Sequence, residues 1–154
     1  MDLLAYWRFD NYRRDLDHGA GFHFNSKQSR LHTEINKGER LWLFTRLVNH
    51  GINEYRLLAC LNVLHKTINA PGYQYGPYRV WGDIKTSRYF QVTDDPNSDV
   101  FELLRLLPFS GASLAGKSRS DLAQACQTIR GLSRAAVELL ASFSKTLCPT
   151  CQCR

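Results

Sequence analysis

The sequence predicts an α+β fold: a small, strongly bent antiparallel β-barrel of five or six strands, followed by two or three C-terminal helices. The chain has 154 residues, 44% of them hydrophobic, which is enough for one packed domain. Up to residue 98 it consists of short apolar and aromatic segments divided by tight turns. Beyond residue 99 the apolar residues recur at helical spacing. Consecutive short strands joined by tight turns favour a bent sheet or barrel.

Six segments of the first part carry strand signals. They are residues 3–9, 22–26, 40–47, 54–64, 78–81 and 88–92. The second is predicted as an edge strand or an extended loop. Residues 54–64 are apolar nearly throughout, so periodicity leaves a buried strand and a helix both open, and the flanking turns favour a long central strand. Residues 11–21 are predicted as a loop or a short turn of helix, and residues 28–36 as a short helix.

The rest of the chain is predicted to be helical. The predicted helices cover residues 100–107, 122–129 and 134–147. Asp99 and Ser133 are placed to cap the first and third, and Ser120 or Asp121 the second. We therefore divide the chain into a barrel (1–98), a helical extension packed on it (99–147) and a cysteine-containing tail (148–154).

The charge of the chain favours a polyanionic partner. It carries 20 Lys and Arg against 14 Asp and Glu, a formal net charge of +6. A plain solvated surface with surplus cations is the alternative. We see no secretory signal and no apolar run of the roughly 18–20 residues that span a membrane, so we expect a cytoplasmic protein without a membrane partner. Five cysteines, an odd number, fit free thiols in a reducing compartment.

Residues Gly38-Glu39-Arg40-Leu41-Trp42-Leu43-Phe44 form a Gly-acid turn that leads into an apolar, aromatic strand. This motif resembles the Gly-Asp turn before an apolar strand in the PUA-like superfamily of β-barrels, in particular its EVE, ASCH and SRA-type branches, with Glu39 in place of Asp. Residues 24–31 resemble the pocket segment of EVE domains, where Asn25, Gln28 and Arg30 match, and Tyr6-Trp7 resembles the opening of that branch. The resemblance covers about residues 3–92 and implies recognition of a modified or flipped-out base without chemistry.

The residue types near these motifs suit a nucleobase. A flipped base needs a flat slot, because stacking on rings offsets about 1–3 kcal/mol of the unstacking cost. Planar amides offer donors and acceptors together to a base edge. The predicted base-binding residues are Trp7, Phe24, Asn25, Ser26, Gln28, Trp81, Asp83 and Tyr89. The competing interpretation is that the rings form core, and that Asn25, Ser26 and Asp83 serve turns.

Cations in or beside the predicted loops are candidates for phosphate contacts. They are Arg13, Arg14, Lys27, Arg30, Arg79, Lys85 and Arg88. We expect a nucleic-acid partner, with DNA preferred over RNA, and a nuclease or helicase as a further partner. We predict no catalytic residue, no metal and no cofactor.

Two motifs leave alternatives open. Residues 111–118 carry Gly-x4-Gly-Lys-Ser, the spacing of a phosphate-binding loop, but they follow a predicted helix rather than a buried strand. The alternative functions are a nucleotide-binding enzyme or nuclease subunit that uses this loop, and a protein-interaction subunit of a defence or modification system. Cys148, Cys151 and Cys153 have zinc-like spacing but supply three thiolates where a closed site needs four ligands, which favours a plain tail.

Overall fold

A computed structural model describes residues 1–19 and 21–150 of the chain. Its strands are β1 (Leu3–Tyr6), β2 (His23–Ser26), β3 (Arg40–Asn49), β4 (Ile52–Ile68), β5 (Tyr78–Gly82), β6 (Arg88–Tyr89) and β7 (Arg130–Gly131). Its helices are α1 (Phe9–Asp17), α2 (Arg30–Thr33), α3 (Phe101–Leu106), α4 (Leu122–Ala125) and α5 (Arg134–Ser144), and residues Pro96–Ser98 form a 3₁₀ turn.

The strands of this described part form one mixed sheet in the order β2-β5-β4-β3-β1-β7, and β6 pairs with β4. β1 runs parallel to β3, whereas all the other pairs are antiparallel. The long strand β4 pairs with β3 along its first part and with β5 along its last part. Register shifts interrupt both ladders, which is how a long strand bends.

The prediction of a closed antiparallel barrel followed by helices is wrong. Within the described residues the sheet stays open, with β2 at one edge and β7 at the other. The path from β1 to β3 passes through α1, β2 and α2, and such a long crossover allows parallel pairing where a tight hairpin does not. Two helices precede β3, and β7 follows α4 and returns to the sheet beside β1, so the helices are not confined to the C-terminal end.

Hydrophobic clusters cover both faces of the sheet. One contains Leu4, Trp42 and Phe44 together with Leu104 and Leu140 of α3 and α5. The other contains alternate strand residues, such as Leu3, Leu41 and Leu43, with side chains near α1 and α2. Because the middle of β4 is buried on both faces, its sequence is apolar nearly throughout. The prediction of a long central strand there is confirmed.

The C-terminal part shares its core with the sheet. Leu104, Leu114, Leu122 and Leu140 all belong to the cluster that covers Trp42. The sequence division at residue 98 stays a prediction about domain organisation, and this shared core shows that the two parts pack as neighbours. Of the predicted tail, the structure describes residues 148–150, and residues 151–154 lie outside the described part.

Several element bounds differ from the predictions for local reasons. The first strand was predicted to extend to residue 9, but β1 ends at Tyr6 and α1 begins at Phe9. The apolar residues Phe9, Tyr12 and Leu16 recur at helical spacing, which favours a helix there. Ser133 caps α5 as predicted, accepting a hydrogen bond from Ala136 N at 3.1 Å. No helix within residues 1–19 and 21–150 is long and apolar enough to cross a membrane.

Candidate functional site

A cavity of about 360 Å³ opens where β1 ends and beside β2. We call it the β2 cavity. It is lined by Ala5, Tyr6, Trp7, Arg8, Asn11, Asp15, Phe24, Asn25, Ser26, Lys27, Gln28, Gln74, Tyr75, Gln127 and Ile129. Its volume falls within the roughly 300–1,000 Å³ of small-ligand sites. Five of the eight predicted base-binding residues therefore lie around one concavity: Trp7, Phe24, Asn25, Ser26 and Gln28.

The cavity lies beside β2, which is an edge strand and has one backbone edge without a neighbouring strand among the described residues. Gly82 N donates to Phe22 O at 2.9 Å, and hydrogen-bonded pairs alternate along an antiparallel ladder. The alternation places Asn25 in a pair that is not hydrogen-bonded, so its N–H and C=O point away from β5. An edge strand thus offers a donor and an acceptor side by side, which is the pattern that a planar heterocycle requires.

The Asn25 side chain has one end fixed and one end available. Its Oδ1 accepts from Arg79 Nε at 2.7 Å and from Asn69 Nδ2 at 2.9 Å. Its Nδ2 donates to none of the described residues. Because both carboxamide acceptor sites are occupied, the amide orientation is set and two N–H donors remain for a ligand.

Gln28 and Ser26 hold the cavity together through contacts of their own. Gln28 Nε2 donates to Gln127 O at 2.6 Å, and Gln28 Oε1 accepts from Ile129 N at 2.9 Å. Ser26 Oγ accepts from Gln28 N at 3.0 Å. The Gln28 side chain therefore attaches the segment before β7 to the cavity, about one hundred residues away in sequence. Both of its polar atoms are used in this way, so Gln28 positions the wall and offers little to a ligand.

Trp7 and Phe24 form the aromatic wall. Their rings lie 5.5 Å apart, edge to face, and Trp7 makes similar contacts with Tyr12 and Tyr89. Trp7 is 6% exposed, and its indole N–H donates to no acceptor in the described part of the chain. A buried ring with an unused donor at a cavity wall can contact a planar ligand and supply one hydrogen bond.

The loop between β4 and β5 closes another side of the cavity with Gln74 and Tyr75. Gly76 has φ of +102°, and a Cβ at this position would overlap the Ser26 carbonyl. The loop backbone therefore lies directly on the end of β2, an approach that only glycine allows. Arg14 of α1 donates to the Tyr75 hydroxyl, and its guanidinium lies 5.1 Å from the centre of the Tyr75 ring.

Charged side chains surround the opening. Arg8 and Lys27 line the cavity and are exposed, and Arg14 reaches it through Tyr75. Asp15 is the acidic group of the lining, and it faces His23 Nε2 at 3.4 Å. Cations at the rim and neutral planar groups inside fit a ligand with a planar ring and an anionic attachment.

The other predicted base contacts lie elsewhere. Tyr89 is 3% exposed in the core, its hydroxyl donates to Gly21 O at 2.9 Å, and burial raises its pKa. Asp83 Oδ1 accepts from Lys85 N at 2.7 Å, which is a turn contact. Trp81 is half-buried on β5, outside the lining, and its Nε1 donates to Thr67 Oγ1 at 2.9 Å.

The predicted phosphate contacts are scattered around the molecule. Lys27 lines the cavity, Arg14 borders it, and Arg79 contacts it through Asn25. Arg30 donates to Glu34 Oε2 at 2.5 Å and to Ile129 O at 2.6 Å. The other three are exposed away from this lining: Arg13, Lys85 and Arg88.

Sequence reasoning missed several lining residues. One of them is Arg8, which follows directly after Trp7. Two others, Asn11 and Asp15, are four residues apart on α1. A helix prediction for residues 9–17 would have placed Asn11 and Asp15 on one face. Gln127 and Ile129 carry no local signal, because only the β7–β1 pairing brings that segment to the cavity.

Two motifs left alternatives open, and the second of them lies partly outside the described residues. Residues 111–118 lie between α3 and α4, without a preceding buried strand. In residues 1–19 and 21–150, no three His, Cys, Asp or Glu side chains form a possible metal site. Cys148 is exposed, whereas Cys151 and Cys153 lie outside the described residues.

No protein-family model matches the chain, and no curated protein matches it significantly.

Proposed function

We propose that this protein binds nucleic acid and holds one modified or extruded base in the β2 cavity, without carrying out chemistry on it. The observation that carries the proposal is the convergence of Trp7, Phe24 and Asn25 on one cavity with exposed Arg8 and Lys27. A base would lie against the rings, with its polar edge on the Asn25 backbone and amide. The flanking phosphates would meet the cations.

Two further observations support a base over another small ligand. The chain has a formal net charge of +6, which favours a polyanion. Residues 24–28, within the stretch 24–31 that resembles an EVE pocket segment, line the cavity. We take DNA as the preferred nucleic acid, the cytoplasm as the location, and a nuclease or helicase as a further partner of this reader.

The proposal is tested by titrating the protein into fluorescently labelled oligonucleotides of one sequence. Each would carry a single unmodified, C5-modified cytosine or N6-modified adenine base, as DNA or RNA and as single strand or duplex. We expect at least one modified or unpaired base to bind about ten-fold or more tighter than its unmodified duplex, at a salt concentration that suppresses phosphate-only binding. Equal, purely salt-dependent affinity across the panel would contradict the proposal. ATP binding lost in Lys117→Ala would favour the enzyme alternative instead.

A further inference from the structure

A row of planar side chains leads from the β2 cavity across the sheet. The Tyr75 ring, in the lining, lies 5.6 Å from the Tyr73 ring. The Arg79 guanidinium lies 5.5 Å from the Tyr73 ring centre and 5.2 Å from that of Trp81. The Trp81 ring stacks on His65 at 5.9 Å and 19°. We call Tyr73, Arg79, Trp81 and His65 the stacking row.

Strand register fixes the last three members on one face of the sheet. His65 of β4 is paired with Trp81 of β5, and Thr67 is paired with Arg79. Residues directly opposite each other in neighbouring strands project to the same side, as do residues two apart along a strand. The hydrogen bond from Trp81 Nε1 to Thr67 Oγ1 then fixes the indole in its plane.

The stacking row is partly exposed to solvent, although His23, which is opposite Trp81 on the same face, is buried. The opposite face of β5 is covered, because Val80 is fully buried and Tyr78 contacts His32 of α2. On the row's own face His65 is exposed, Tyr73 is 37% exposed, and Trp81 and Arg79 are half-buried. A row of planar groups that keeps one side partly open to solvent is suited to a ligand with planar groups of its own.

We infer that the stacking row is a second binding site, which takes the bases of a single strand that leaves the β2 cavity. This inference rests on the proposed function, since the cavity would hold the first base and the row its neighbours. Base stacking on aromatic side chains and Arg tolerates any sequence, because every base has a π-face. The row therefore adds affinity for unpaired nucleotides, and the cavity supplies selectivity for one base.

The test measures binding of labelled oligothymidylates of one, two, four and eight nucleotides to the wild-type protein, Tyr73→Ala and Trp81→Ala, at moderate and high salt. Trp81→Phe serves as the conservative variant. Ile84→Ala is the control, because Ile84 is 79% exposed on the turn after β5 and outside the row. Tyr73 lies in an exposed loop, so its truncation reports on binding even if Trp81→Ala fails to fold.

We expect affinity to rise on the order of ten-fold with each of the first added nucleotides, even at high salt. Tyr73→Ala and Trp81→Ala should lose most of this gain and keep the wild-type affinity for the mononucleotide, whereas Trp81→Phe and Ile84→Ala keep both. An identical length dependence in wild type and Tyr73→Ala would overturn the inference, as would a complete lack of oligonucleotide binding. If longer oligonucleotides bind in a way that requires Tyr73, but the mononucleotide does not bind at all, the result would support the stacking row and contradict the proposed role of the β2 cavity.

Discussion

Arg79 Nε donates a hydrogen bond to Asn25 Oδ1 at 2.7 Å, and this contact joins the β2 cavity to the stacking row. The same guanidinium lies over the Trp81 ring. One cation thus contacts both the amide that lines the cavity and the half-buried Trp81 ring. A change at Asn25 should therefore separate structural from ligand-binding roles.

Asn25→Asp keeps an oxygen for Arg79 and Asn69 but removes the two free N–H donors. We expect unfolding free energy close to wild type and binding of a single-base ligand weaker by about ten-fold or more, since a donor is lost and a negative charge is added. Urea unfolding and ligand titration measure the two effects. Asn97→Asp, the same change on the exposed turn Pro96–Ser98, is the control and should leave binding within about two-fold. Equal losses in both variants would contradict the assigned role of Asn25.

Gly76→Ala should be far more damaging than Gly72→Ala. Both glycines have positive φ, +102° and +81°, so both substitutions strain the backbone. Only at Gly76 would the new Cβ meet the Ser26 backbone, and nothing lies within 4 Å at Gly72. We expect Gly76→Ala to shift the loop off β2, to cost roughly 1–3 kcal/mol more in urea unfolding, and to weaken base binding. Equal stability and binding of the two variants would show that the loop does not form the cavity wall.

Gln28→Glu should weaken the attachment of the segment before β7. The Nε2 donor that contacts Gln127 O would become a carboxylate oxygen facing a carbonyl. We expect a loss of about 1–3 kcal/mol in unfolding free energy. Amide hydrogen exchange should become faster at Ile129, whose N–H donates to Gln28 Oε1. Gln124→Glu, the same change at an exposed site, should leave both observations unchanged.

We expect the unfolding free energy to fall at alkaline pH, because buried thiols lose their protons more readily in the unfolded chain than in the folded protein. Burial raises the pKa of Cys126 to about 11, from 9.0 in an exposed thiol. Folding thus favours the protonated thiol, and this contribution is complete below about pH 9 and is lost as the pH rises through about 11. We expect Cys126→Ala to show a shallower decline between pH 9 and pH 11 in urea unfolding. A decline as steep as in wild type would assign the effect to other groups, such as Cys60, whose pKa burial raises to about 12.

The local parts of the fold could be predicted from the sequence. Turn signals and β-formers identified β3 and the long β4, and the Ser133 cap marked the start of α5. The non-local pairings could not, because the parallel contact of β1 with β3 and the return of β7 leave no spacing signal in one sequence. The barrel prediction therefore failed on strand pairing, while most strand positions were found.

The site was predictable where its residues are consecutive. Phe24 to Gln28 lie on and after one strand, so they meet at one place in any fold that keeps β2. Whether Trp81 would reach the cavity could not be predicted, because its face depends on strand register. A shift of one residue moves a strand side chain to the other face of the sheet. Trp81 pairs with His23 on the face opposite Phe24 and Val80, where Trp81 is half-buried and His23 is buried.

The central claim, that the β2 cavity holds one base, is tested most directly by filling it. Asn11 lines the cavity from α1, and Asn11→Phe places a ring in the space without changing the net charge. Asn97→Phe is the matched control on a remote turn. We predict that calorimetric binding of the tightest oligonucleotide in the modified-base panel falls about ten-fold or more in Asn11→Phe alone, with both variants folded. Unchanged affinity in folded Asn11→Phe would contradict the account.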